Sequence, residues 1–254
     1  MIRYLRAFLR FIFLIIAVIG VGLLQTIIVS LGFPRSFFIS AIWARSILFG
    51  LGIKLVVRGT PTLATPTLFI ANHSSYLDIV ILSALTRATF VSKASVANWP
   101  IFGWLSRVQG TIFIDRTRGQ ARKQADALAD HAKAGGNLIL FAEGTTSDGN
   151  RLLPLKSSLL GVAQYMQAVQ PITLAFTAMD GLPPGRTFRY MYAWTGDESM
   201  PPHLIRLLLQ GEMEVMVTFH TPITTDLDNR KALTQQLELQ MREGLNNALH
   251  RAAA

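Results

Sequence analysis

The chain contains no cysteine, which excludes disulfides, thiolate metal sites and cysteine nucleophiles. It has no Gly-x-Ser-x-Gly, so the usual serine-hydrolase elbow is absent. A Walker A segment, a Gly-x-Gly-x-x-Gly after a strand and a His-Glu-x-x-His are missing as well. His131, His203, His220 and His250 stand isolated, and no metal-ligand set is visible. Acidic residues are scarce, 15 against 24 Lys and Arg, which leaves a net charge of +9. The basic residues are scattered, without a helix-turn-helix, zinc-finger or aromatic-basic pattern. The excess therefore suits an anionic membrane surface better than nucleic acid.

Apolar residues are abundant, at 50% of the chain. No charge occurs from Phe11 to Pro34, a run long enough to span a bilayer. It is too long for a signal-peptide core, and no small-x-small cleavage site follows it. Gly32 and Pro34 mark a turn, and a second apolar stretch from Ser36 to Val57 is interrupted by Arg45 and Lys54. The pattern predicts a membrane-associated helical hairpin over residues 1–57. Arg3, Arg6, Arg10 and Arg58 flank it, keeping the remainder, 58–254, on the cytoplasmic face of the inner membrane.

The remainder alternates between strand and helix patterns. Strands are expected at Thr67–Ala71, Thr89–Ser92, Thr111–Asp115, Asn137–Phe141, Ile172–Phe176, Arg189–Trp194 and Glu214–Phe219. Helices are expected at Gly119–Ala134, Leu155–Val169, Pro202–Leu209 and Asn229–Arg251. Such alternation predicts an α/β sandwich with a mixed, largely parallel sheet flanked by helices.

Asn72-His73-Ser74-Ser75-Tyr76-Leu77-Asp78 follows the apolar run Thr67–Ala71 directly. His titrates nearest working pH, and a carboxylate on its ring nitrogen stabilises the imidazolium formed when the ring takes a proton. Five residues apart on one helix, the two side chains would diverge by roughly 140°. The pair makes sense with His73 in a turn and Asp78 in the first helical turn. Ser75-x-x-Asp78 also reads as a helix-capping pair. Phe141-Ala142-Glu143-Gly144-Thr145-Thr146-Ser147 runs a strand into a carboxylate, a glycine and three hydroxyls, either a ligand-binding strand end or an ordinary turn. Gly110–Arg116 ends a strand in a guanidinium suited to a phosphate or carboxylate, or to pairing with Asp115 or Asp126. Lys93 and Lys156 suit a phosphate or an apolar surface equally.

Taken in order, Asn72-His73-x-x-x-x-Asp78, Gly110-x-Ile112-Phe113-Ile114-x-Arg116, Phe141-x-Glu143-Gly144-Thr145-x-Ser147 and the strand around Pro171-Ile172 resemble the lysophospholipid acyltransferase family. The resemblance covers roughly Leu55 to Phe219. It implies transfer of a fatty acyl group from acyl-carrier protein or coenzyme A, as co-substrate, to the free hydroxyl of a lysolipid, with no metal or further cofactor. His73 would be the general base and Asp78 its partner, while Arg116, Lys93 and the Glu143, Gly144, Thr145, Ser147 turn would hold the acceptor. Family members often carry Arg where Thr146 stands and Pro where Ala142 stands. Bacterial relatives acting on lyso-ornithine lipid carry a similar Glu-Gly-Thr-Thr-Ser turn. Lysophosphatidic acid is expected as acceptor, with lyso-ornithine lipid as the alternative. Outside acyl transfer, a hydrolase using the pair on water and a membrane-surface binding protein are the competing readings.

Overall fold

The computed structural model describes residues 2–115, 121–195 and 198–251. Among them, seven strands form one sheet in the order β1-β7-β6-β2-β5-β3-β4. They are β1 (Ile53–Arg58), β2 (Thr67–Ala71), β3 (Thr89–Lys93), β4 (Ile112–Ile114), β5 (Leu138–Leu140), β6 (Ala168–Met179) and β7 (Met213–Phe219). Every neighbouring pair is parallel except β6 and β7. The expected mixed, largely parallel sheet is therefore the one observed.

Among the described residues, eight α-helices flank it: α1 (Ile2–Ser30), α2 (Phe37–Leu51), α3 (Leu77–Leu85), α4 (Phe102–Val108), α5 (Ala121–Lys133), α6 (Arg186–Tyr192), α7 (Met200–Leu209) and α8 (Arg230–Arg251). Successive residues of β2 point to opposite faces, so this central strand serves two cores. Phe69 and Ala71 pack with α2, α3 and α7 residues such as Ile47, Ile81 and Leu207. Leu68 and Ile70 pack with Leu160, Leu237 and Met241 on the other face. All five β2 residues are buried, which is why the strand reads as an unbroken apolar run.

Three elements differ from expectation. The second apolar helix stops at Leu51, because Gly52 takes a left-handed conformation (φ 71°) and its N–H caps Leu48 and Phe49 carbonyls. Ile53–Arg58 then forms β1, paired in parallel with β7, rather than continuing the hairpin. Arg189–Trp194, expected as a strand, lies mostly in α6, which starts immediately after Pro183-Pro184-Gly185. Leu155–Val169 is a 3₁₀ helix over Ser157–Tyr165 running into β6, rather than one α-helix.

α1, with 29 residues, is long and apolar enough to cross a membrane by length and composition. Its cationic end is engaged by the protein itself. The guanidiniums of Arg3, Arg6 and Arg10 donate to carbonyls at the end of α7: Arg3 Nε to Leu209 at 3.1 Å, Arg6 Nη2 to Gln210 at 2.9 Å and Arg10 Nη1 to Gln210 at 2.8 Å. Cations there also complement the negative end of the α7 dipole. Further along, Gly22 lies against the Trp104 ring, so closely that an added Cβ would overlap it. The other face of α1 leaves Leu5, Leu9, Ile12, Ile16, Ile19 and Leu23 exposed. Arg10→Ala should destabilise the docked arm by about 1.5–3 kcal/mol, the range for a hydrogen bond involving a charged group. Faster proteolysis between α1 and α2 in detergent would report it, and unchanged cleavage would contradict the clamp.

Candidate active site

The site lies at the carboxyl ends of β2 and β5, which are adjacent and parallel. Asn72 decides where the chain leaves the sheet. Its amide donates to the Leu174 carbonyl at 2.9 Å and accepts from the Leu174 N–H at 2.8 Å, continuing the β2–β6 ladder with a side chain. The backbone is thereby free to turn at His73.

His73 sits in that turn and Asp78 in the first turn of α3, the arrangement the five-residue spacing requires. His73 Nδ1 lies 3.0 Å from Asp78 Oδ2. A buried carboxylate accepts, so Nδ1 carries the proton and Nε2 keeps its lone pair. The His73 side chain is 18% exposed and that of Asp78 fully buried, so the imidazole meets the surroundings and the carboxylate does not. Oδ2 also accepts the Ser74 and Ser75 N–H groups at 2.7 and 2.8 Å. The capping role of Asp78 and its pairing with His73 are thus filled by one oxygen. On its flank the His73 ring stacks against Phe141, with centroids 3.9 Å apart and planes 16° from parallel.

Glu143 is buried beneath the turn. Its Oε1 accepts the His73 N–H at 2.7 Å and its Oε2 the Leu153 N–H at 2.8 Å. Burial pushes the Glu143 carboxyl up to about 7, against the two amides, which favour the ionised form. Both oxygens are engaged by backbone, so this residue orders the His73 turn from below. Gly144 takes φ 71°, a conformation glycine adopts without strain, and Thr145 is exposed beyond it. Ser147 is buried and returns its N–H to the His73 carbonyl at 2.8 Å. The Glu143–Ser147 turn and His73 are therefore brought together.

Lys93 ends β3 at the same edge of the sheet, with its side chain exposed. Arg116 falls outside the described residues. Tyr192, which no sequence signal marked, reaches from α6 with its O–H on Asp78 Oδ1 at 2.8 Å. Phe141 also went unassigned, although its place just before Glu143 put it at the strand end.

Beside the dyad, between α1, α2, α3, α4 and α7, lies an apolar cavity of about 380 Å³, lined by residues including Leu14, Val18, Trp43, Tyr76, Phe102 and Leu204. Tyr76 and Leu77, between the two dyad residues in sequence, form part of its wall. The Tyr76 O–H meets Nδ1 of the buried His203 at 3.0 Å, which leaves the ring as the surface facing the cavity.

A partly exposed imidazole is thus backed by a buried carboxylate, and the segment between them lines an apolar cavity. Residues 54–175 match the Acyltransferase family model. The lyso-ornithine lipid O-acyltransferase of Brucella abortus (strain 2308) is 40% identical over 212 residues, covering 80% of this chain and 79% of that one. The 1-acyl-sn-glycerol-3-phosphate acyltransferase of Neisseria meningitidis serogroup B is 31% identical over 202 residues, covering 78% and 77%. The chain belongs to the acyltransferase family, as a transferase of the lysolipid O-acyltransferase type. Its fold is shared with the 1-acyl-sn-glycerophosphate (LPA) acyltransferase PlsC of Thermotoga maritima, at a TM-score of 0.69 and 19% identity over 96% of this chain and 97% of that one.

Proposed function

We propose that the protein transfers a fatty acyl group from an acyl-carrier-protein or coenzyme A thioester to the free hydroxyl of lyso-ornithine lipid. The observation carrying this reading is the His73–Asp78 pair, with Nδ1 held at 3.0 Å and Nε2 left to act as base. His73 Nε2 takes the proton of the acceptor hydroxyl as its oxygen attacks the thioester carbon. Asp78 stabilises the imidazolium, and the tetrahedral adduct collapses, expelling the thiolate, which recovers the proton. With no cysteine and no nucleophile elbow, direct attack without an acyl-enzyme is the simpler route.

The apolar cavity suits an acyl chain, and the outward apolar face of α1 suits the bilayer in which acceptor and product reside. On this reading α1 and α2 anchor the protein to the inner membrane, and the sheet domain, which begins at β1, works at its cytoplasmic face. Arg116 and Lys93 remain the cations for the acceptor headgroup.

Lyso-ornithine lipid replaces lysophosphatidic acid as the first choice for two reasons. The Brucella relative matches at 40%, against 31% for the Neisseria one. Thr146 also stands in the turn where many family members carry an arginine. The test is acyl transfer by the detergent-purified protein, each acceptor being offered separately with both thioesters. Ester formation on lyso-ornithine lipid at a kcat/KM at least tenfold above that for lysophosphatidic acid is expected. The opposite order would reassign the headgroup, and thioester loss without a new lipid ester would indicate a hydrolase.

A further inference from the structure

We propose that Tyr192 is a positioning residue for the transfer reaction, its O–H fixing the Asp78 carboxylate so that Oδ2 is held on His73 Nδ1. The inference rests on the reading of His73 as the base.

Asp78 is fully buried, so each of its oxygens needs a donor from the protein. The motif itself supplies only one side of the carboxylate. Oδ2 collects His73 Nδ1 and the Ser74 and Ser75 amides. Oδ1 takes the Tyr192 O–H at 2.8 Å, from a residue 114 positions along the chain. Removing that donor would leave a buried charged oxygen facing apolar surroundings. The carboxylate would relieve this by rotating about its Cβ–Cγ bond, sharing the Ser74 and Ser75 amides between both oxygens and loosening the hold on His73.

Tyr192 is built to resist such a shift. Its ring is buried and stacks on Phe176 of β6, with centroids 5.4 Å apart and planes 18° from parallel. Two contacts tie α6 and its exit to the loops of the site: Arg189 Nη1 to Asn150 Oδ1 at 2.9 Å, and the Trp194 N–H to the Ser74 carbonyl at 2.7 Å. Burial, with the nearby Asp78 charge, holds the phenol well above its ordinary pKa, so it stays a donor throughout the working range.

The experiment uses the full chain in detergent, comparing Tyr192→Phe, Asp78→Asn, the double variant and His73→Ala. Phenylalanine keeps the ring and its stacking and removes only the hydroxyl. Tyr192→Phe should lower kcat about tenfold, the size expected for one hydrogen bond to a buried charge. Both KM values should stay within about twofold, because Tyr192 is buried behind Asp78 and closed to substrate. In the Asp78→Asn background the same substitution should change the residual rate by less than about twofold, since its effect passes through that carboxylate. An equal loss in both backgrounds, or a loss through KM alone, overturns the proposal. So does a wild-type kcat for Tyr192→Phe while His73→Ala is inactive. Turnover retained by His73→Ala would instead overturn the base assignment on which the proposal rests.

Discussion

His73→Ala should lower kcat by roughly 10²–10⁴-fold, the contribution of a positioned general base. The fold should survive the change. The His73 ring is only partly enclosed, and Asp78 Oδ2 keeps the Ser74 and Ser75 amides when the imidazole is gone. No buried charge is orphaned, so the stability loss should stay within about 1.5–3 kcal/mol, the range for one hydrogen bond to a charged group. KM for the acceptor should barely move if the headgroup is held elsewhere. Rate measurements with parallel thermal unfolding separate these outcomes. A variant that keeps turnover within tenfold of wild type would remove His73 from the chemistry and leave the pair as a helix cap.

Glu143→Gln is the second large effect. The native carboxylate accepts two backbone amides, at 2.7 and 2.8 Å. A glutamine offers one acceptor oxygen and one NH₂, so one of those amides would face a donor. The His73 turn should shift, and a displacement near 1 Å is enough to lower kcat about 10²-fold. Stability carries a pH signature as well. The unfolded carboxyl titrates near 4.5 and the folded one near 7, because burial disfavours the charge. Between those values the folded state binds a proton that the unfolded state has released, so stability falls as pH rises through this window. The advantage of wild type over Glu143→Gln should therefore shrink by roughly 3 kcal/mol between pH 4 and 8. Taking the difference between the two proteins cancels the contributions of His203 and His220. A difference independent of pH would show that Glu143 is not the titrating group.

The sandwich and the dyad were legible in the sequence because both rest on local patterns. Thr67–Ala71 is apolar throughout because β2 is covered on both faces, and the five-residue spacing of His73 and Asp78 suits a turn followed by a helix better than one continuous helix. β1 was not legible. Ile53–Val57 continues an apolar stretch that is helical up to Leu51, and hydrophobicity alone does not separate a buried helix from a buried strand. Gly52 was the one local sign of the break. The α6 segment misled through composition, since Phe188, Tyr190 and Tyr192 favour strands intrinsically while tertiary contacts hold them in a helix.

The role of Glu143 was hidden for a different reason. Its partners are backbone amides of His73 and Leu153, and backbone groups carry no sequence signature. Tyr192 meets Asp78 only through the closing of the sheet around β6, a contact between distant segments. The cationic flank of α1 was read only as a sign of membrane orientation. Arg3, Arg6 and Arg10 instead meet carbonyls of α7, whose position depends on the whole fold.

A competition in one vesicle tests headgroup choice and the role of His73 together. Equimolar lyso-ornithine lipid and lysophosphatidic acid are offered with an acyl-carrier-protein thioester to the purified protein, and the lipid products are resolved by mass. Acylated ornithine lipid should be the major product, and it should disappear with His73→Ala. Phosphatidic acid as the major product would contradict the headgroup assignment, and ornithine-lipid acylation undiminished in His73→Ala would contradict the mechanism.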